Sequence, residues 1–340
     1  MLAPPSLPRT LEACFRDLGS KKPEIRAQAA EELGRHLTGG ETPAQERGVE
    51  ALVKALGDTH PAVRARAATA LSDARATCAL PSLLVAVEDD DGLVRQMALS
   101  ALGELGDARA SSKLRRALAD ARPEVRYQAL IAFERVSPDE ALGPLTSALD
   151  DDDAAVRHIA LRVSEERLEQ GKKPDEKASR ALADGAARLL DDESPDVAVA
   201  AAIVLTKLGD KRGKPKLLLV AQGNLRGKVG IEEEQGALEA CGEAKLTQAI
   251  PALERRAFGI TRFFRDNSVM HAKVALAAMG HERASAELLA DLAASKPQVR
   301  DRAIVAVGRA RLASARAALE KLARDEATRE LAEEALARLS

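Results

Sequence analysis

The chain has 340 residues, of which 31% are charged and 46% are hydrophobic, with a formal net charge of −2 and a pI near 6.3. That balance excludes a global basic field of the kind that recruits nucleic acid, so any such binding has to be local. Trp is absent and there are one Tyr and five Phe. The core must be Ala, Leu and Val, which fits thin, closely stacked helices better than an aromatic-lined enzyme pocket.

The opening residues, MLAPPSLPRTLEACF, contain no apolar run of signal-peptide length. No stretch approaches the roughly 18 apolar residues that a membrane span needs. A cytoplasmic protein without membrane insertion is expected. Cys14, Cys78 and Cys241 are widely spaced with no CxxC, as befits reduced thiols.

In chain order, residues 1–22 read as an N-terminal capping segment, followed by a recurring unit best seen at Asp91 to Leu118. There Val94, Met97, Ala98, Ala101, Leu102 and Leu105 share one face of a helix, here called helix A. Gly106 can turn left-handed and end it, and Asp107 can cap the next helix. Leu114, Ala117 and Leu118 mark that shorter element, helix B. Helices joined by so short a turn must lie antiparallel, and each pair needs neighbours to bury its remaining apolar faces.

With Val94 as the marker, equivalents fall at Ile25, Val63, Val125, Val156, Val197 and Val299, with degenerate copies near Gly230, Ser268 and Thr328. Insertions are placed at Thr38 to Gln45, at Gln170 to Lys177 and around Phe258 to Asn267. Pro23, Pro61, Pro123, Pro195 and Pro297 stand two residues before a marker, in the first turn of helix A, where a missing N–H is harmless. An Asp lies six residues before an Arg in four successive units: Asp58 and Arg64, Asp89 and Arg95, Asp120 and Arg126, Asp151 and Arg157. Each Asp closes a helix B and each Arg opens the next helix A, so the pairs are expected to clip one unit to the next.

The pattern VRxxAxxALGxLGD, with the preceding Pro and the Asp/Arg separation of six, resembles the HEAT repeat, in particular the short form of the phycobilisome lyases. The resemblance spans roughly residues 20–340 and is strongest over 58–160. It implies a ladder of Asp–Arg bonds between repeats, helices B on a concave surface, and a role in holding another macromolecule. Ala198 and Ala294 interrupt the ladder, standing where an Arg and an Asp are due. The expected fold is all-α, a single right-handed α-solenoid of about nine to ten antiparallel helix pairs over residues 1–340. It divides into regular repeats (23–224), an irregular region (225–270) and C-terminal repeats with a cap (271–340).

HEAT-like proteins include enzymes, so chemistry has to be tested for. One His-Glu dipeptide, His281-Glu282, cannot assemble the repeated set that a diiron hydroxylase gathers. DNA glycosylases of this fold lean on aromatic residues including Trp. GDKRGKP and GNLRGKV have three residues where a phosphate loop requires four and lack the Ser/Thr after Lys. His36, His60, His158, His271 and His281 show no ligand spacing. No catalytic residue, cofactor or metal site is expected.

Two clusters stand out. Lys207, Lys211, Arg212, Lys214, Lys216, Arg226 and Lys228 face the single acid Asp210. Lys211 to Lys216 fall at the start of a helix B, where the dipole disfavours cations, a choice that a bound anion would account for. The second, Phe258 to His271, holds three of the five Phe residues beside Arg255, Arg256, Arg262, Arg265 and Lys273. Phe263 and Phe264 are adjacent and cannot both enter one small core, and exposed aromatic with Arg is the composition of interface hot spots. The sequence is therefore read as a non-catalytic scaffold or adaptor whose partner, an acidic protein surface or peptide, meets Lys214, Lys216, Arg226, Phe263, Phe264 and Arg265. A nucleic-acid-binding HEAT protein or a bilin-lyase type of enzyme is the alternative.

Overall fold

The computed structural model describes residues 9–37, 42–172, 174–259 and 266–339, and among these the regular structure is entirely helical. The chain forms two compact units, Met1–Val163 and Ser164–Ser340.

In the first unit α1 (Leu11–Asp17) precedes four A–B pairs. They are α2 (Pro23–His36) with α3 (Pro43–Ala55), α4 (Pro61–Asp73) with α5 (Leu80–Ala86), α6 (Gly92–Leu105) with α7 (Ser111–Ala117), and α8 (Pro123–Val136) with α9 (Leu142–Ala148). Helix α10 (Ala154–Glu169) carries the division and is followed by α11 (Glu176–Arg188). The second unit continues with α12 (Pro195–Lys207) and α13 (Lys214–Gln222), α14 (Ile231–Glu243) and α15 (Ile250–Phe258), and α16 (Asp266–Ala278) and α17 (Glu282–Asp291). The last pair is α18 (Pro297–Arg309) and α19 (Arg316–Leu322), and α20 (Arg329–Ala337) closes the stack.

The expected signals act where they stand. Pro23, Pro61, Pro123, Pro195 and Pro297 each open an A helix. Val63, Val94, Val125, Val156 and Val197 are at most 1% exposed. Neighbouring A helices approach through small residues. A Cβ on Gly103 would lie 2.9 Å from Ala132 Cα, and one on Gly34, Gly242 or Gly308 would meet Ala70, Ala275 or Ala335 as closely. Each such Gly stands nine residues after a marker and each such Ala seven after the next, so the same close contact recurs twice in each unit.

This contact also corrects the register. The degenerate marker expected at Gly230 is Glu233, which puts Gly242 nine residues on against Ala275. Glu233 is buried at a position that is Val or Ile in the regular layers. Ser268 and Thr328 do hold the marker position, and both are buried.

In six of the A helices the residue twelve after the marker is left-handed, and in most of these the next N–H reaches back to a helix carbonyl. Asp210 N–H donates to Leu205 O at 2.8 Å, and Ala76 N–H to Leu71 O at 3.0 Å. Gly106, Gly209 and Gly280 fill this site at φ of 67–83°, but Arg75, Lys245 and Arg311 also do so, at 46–50°.

Two further clasps were not visible in the pattern. Arg9 Nη1 and its backbone N–H both donate to Glu32, and its Nε donates to Asp17, tying α1 to α2. His281 caps α17 by accepting from Ala284 N–H at Nδ1, which leaves Nε2 to donate to Glu254.

Candidate partner-binding surface

The polar surface is first a record of what is already used. In each rung of the first unit one Arg does two jobs. Arg64 makes a two-pronged pair with Asp89 (2.8 and 2.6 Å) while Nη1 donates to Asp58 O at 3.0 Å. Arg95 does the same with Asp120 and Asp89 O, and Arg126 with Asp151 and Asp120 O. Arg26 begins the series on Asp58, and Arg157 donates to Asp151 O at 2.8 Å.

The expected pairing of Asp58 with Arg64, Asp89 with Arg95, Asp120 with Arg126 and Asp151 with Arg157 is therefore shifted by one layer. The residue six before each Arg supplies only its carbonyl, because its carboxylate is turned to the Arg of the preceding layer. The same carboxylate accepts the N–H two residues ahead, as when Arg122 donates to Asp120 Oδ1 at 2.9 Å. Burial alone would raise the carboxyls of Asp89, Asp120 and Asp151. The Arg fork and that N–H outweigh it and hold all three below the usual carboxylate range. For Asp58 the Arg26 fork is the largest influence, and it acts in the same direction.

The basic cluster of the second unit is mostly occupied from within. Lys207 Nζ lies between Glu169 (2.8 Å) and Glu243 (2.6 Å), linking the ends of three successive A helices. Burial would lower this ammonium, but the two carboxylates reverse the effect and raise it. Arg212 is held by Asp210 and Asp184. Lys214 opens α13, where the dipole opposes it, but its Nζ donates to Ala244 O at 2.9 Å, at the end of α14, where a cation is favoured. No anion is needed to account for Lys214. Lys216 faces Asp191 at 3.5 Å. Lys211, Arg226 and Lys228 are exposed, and none of the three has an ion-pair partner among the described residues.

The second cluster is divided. Phe263, Phe264 and Arg265 lie outside the described residues. Phe258 is half-buried, stacked on His281 with centroids 5.7 Å apart and covered by the Arg283 guanidinium at 4.1 Å. Lys273 pairs with Glu287 at 2.7 Å.

Arg256, one of the cations that flank the Phe cluster in the sequence, is buried. It donates to Ala221 O and Val220 O, both at 2.9 Å, closing α13, and Nη1 meets Glu234 at 2.5 Å. Glu234 stands one residue after the corrected marker, where Arg64, Arg95 and Arg126 stand in the first unit. This rung is the ladder with its charges exchanged, and no periodic signal reveals it. A further network joins alternate layers: Glu239 accepts from His271 Nδ1 at 2.6 Å and from Arg309 at 3.0 Å. Burial would raise the Glu239 carboxyl, and these two groups together bring it below its ordinary value.

The family model for HEAT repeats matches residues 49–133. Among solved structures, the X-ray structure of the E. coli protein YibA aligns at TM-score 0.59 and 18% identity, over 81% of this chain and 93% of that one. The complex of CpcE and CpcF of phycocyanin lyase from Nostoc sp. PCC7120 aligns at TM-score 0.44 and 20% identity, over 74% and 96%. A designed armadillo repeat protein aligns at 0.41 and 21%, over 58% and 100%. No curated protein matches the sequence. The YibA likeness speaks for the fold alone, and the two looser ones add nothing to it. The A–B pairs, the Gly–Ala layer contact, the Arg–Asp rungs and the family match together make the chain a HEAT-like repeat protein.

Proposed function

We propose that the chain is a non-catalytic scaffold or adaptor that works in the cytoplasm by holding an acidic protein surface or peptide. The observation that carries this reading is the repeated helix pair, which gives each unit a surface built of similar layers. No described helix is long and apolar enough to cross a membrane.

Within the expected site, the cation best placed to meet a partner is Arg226, in the turn between α13 and α14. Lys228 and Ile231, which is 59% exposed, lie beside it in the chain. Lys214 and Lys216 would have to exchange an internal partner for an external one.

The test is affinity capture from native lysate with the wild-type chain and with Arg226→Glu/Lys228→Glu. A stoichiometric protein partner lost from the double variant is the expected result. Recovery of nucleic acid alone, or of a bound metal or chromophore with turnover, overturns the reading.

A further inference from the structure

Helix α18 is the place where the packing rule fails. Val299 occupies the marker position, yet it is 36% exposed, against at most 1% for Val63, Val94, Val125, Val156 and Val197. The same face carries Gln298, Arg302, Val305 and Arg309, all exposed, with Val305 at 38%. In the first unit α4 also exposes the offsets of Gln298, Arg302 and Arg309, at Ala62, Arg66 and Asp73, but among the described A helices before α18 none exposes its marker or the residue six after it.

The polar contacts fail at the same point. Val269 and Ala294 stand where an Arg and an Asp would join α16 to α18. Arg300 is a ladder Arg by position, but its Nε is buried without an acceptor. Asp301 lies 4.0 Å from that Nε, with a buried Oδ1 that is equally unpaired among the described residues. Over residues 296–309 the sequence sets Lys296, Arg300, Arg302 and Arg309 against Asp301 alone, and among the described residues Arg309 is the one of these cations with a carboxylate partner elsewhere, Glu239.

We propose that this face of α18 docks an acidic amphipathic segment of a partner protein. The inference rests on the protein-binding reading above and gives it a surface separate from Arg226. Charge complementarity selects the occupant. Arg302 and Arg309 are seven residues apart, about 10.5 Å along the helix, so a helical partner with acids seven residues apart matches both, Arg302 directly and Arg309 through the guanidinium N–H groups that its bond from Nη1 to Glu239 does not use. Val299 and Val305 lie between and beside the cations and call for small apolar residues, which a peptide supplies and a phosphate backbone does not. Arg with flanking apolar contact, desolvated by the partner, is the arrangement that concentrates binding energy.

The test uses the full chain and a fluorescent synthetic helix with an Ala/Leu face and Glu at positions seven apart, alongside the same helix with Lys in place of Glu. Arg302→Glu/Val305→Glu changes only exposed side chains, and an unchanged melting curve confirms that it folds. The acidic peptide should bind the wild type at least about 10-fold more tightly than the Lys peptide, a difference of about 1.4 kcal/mol. The double variant should lose at least about 10-fold, and Arg226→Glu/Lys228→Glu should lose nothing. Undiminished binding by the double variant, no acidic binding at about 100 μM, tighter binding of duplex DNA, or a self-association abolished by the double variant each overturns the assignment. Failure of the scaffold reading shows separately, as a wild-type capture that yields no protein partner.

Discussion

In residues 1–163 a single Arg in each layer satisfies the carbonyl of the turn behind it and the Asp of the turn ahead, whereas in residues 164–340 those two tasks are redistributed. There Arg256 reaches back from α15 to the carbonyls of Val220 and Ala221 at the end of α13 and to Glu234 at the start of α14, so cation and anion have exchanged places. Between α16 and α18 neither partner is present. The Gly–Ala contact between A helices persists in both regions. The apolar contact is therefore common to both, and the polar closure of the turns is replaceable as long as each buried carbonyl and carboxylate finds some partner.

The largest expected effect tests the exchanged rung. Arg256→Ala leaves the two buried carbonyls of Val220 and Ala221 without their donor and should cost about 3–5 kcal/mol, at about 1–3 kcal/mol for each group, read as a fall in urea midpoint. If closure is as replaceable in the first region, Arg126→Ala should follow at about 2–3 kcal/mol, because Asp151 and the Asp120 carbonyl are only partly buried. Arg300→Ala, at a ladder position whose rung is unmade, should stay within about 0.5 kcal/mol. Equal losses for Arg126→Ala and Arg300→Ala would show that the rungs contribute nothing.

The next step removes the feature the regions share. Gly103→Ala and Gly242→Ala each place a Cβ within 3 Å of the backbone of Ala132 or Ala275. Overpacking of this kind costs about 1–3 kcal/mol and outweighs the helix-propensity gain of Ala, about 0.5–1 kcal/mol. Both variants should be destabilised to a similar extent. A stable Gly242→Ala would mean that the second region can slide its layers where the first cannot.

Much of this architecture is legible in the sequence because it follows from local rules that recur. Pro at the start of helix A, apolar steps of three and four, and Gly106 at the turn each act within one layer and repeat at a fixed offset. The Arg–Asp separation of six is visible too, but it names the carbonyl contact. The carboxylate contact lies 25 residues on and depends on which way the Asp side chain turns. Where the period breaks, pattern reading misplaces residues. Glu233 replaces a marker Val and is hidden among Glu232 to Glu234, and Arg256 looks like a surface cation because nothing periodic calls for a buried one. The basic cluster shows the same limit: Lys214 opposes the dipole of its own helix but serves that of α14, which a linear sequence does not place beside it.

Acid separates the regions by chemistry rather than by mutation. Asp58, Asp89, Asp120 and Asp151 all titrate below their unfolded value of about 3.9, so the stability they supply is complete above that pH and is lost as the pH falls through the folded values. The carbonyl half of the Arg256 rung does not titrate. Hydrogen exchange on the full chain, with the pH lowered stepwise below about 4, should therefore show the turns around Asp89 and Asp120 opening before the end of α13. Opening of α13 first would reverse the assignment.

The smallest effect concerns the turn from A to B, which both regions close on a left-handed residue. Gly is the natural occupant, and Arg75 in the first region and Lys245 and Arg311 in the second hold φ near 50° instead. A side chain there costs about 1–2 kcal/mol in steric strain. A cation beside the last carbonyls of helix A returns about 0.3–1 kcal/mol, and a non-Gly residue restrains the unfolded chain by about 0.4–1 kcal/mol more. These terms nearly cancel, which accounts for both residue types recurring at one position. Arg75→Gly should thus shift stability by no more than about 0.5 kcal/mol, with salt lowering only the wild type. Gly106→Ala, which gains the strain without the cation, should lose about 1 kcal/mol. Calorimetry on the two variants at low and high ionic strength measures both terms. A loss of more than about 1 kcal/mol in Arg75→Gly at either salt concentration would show that the Arg side chain has a contact beyond the turn.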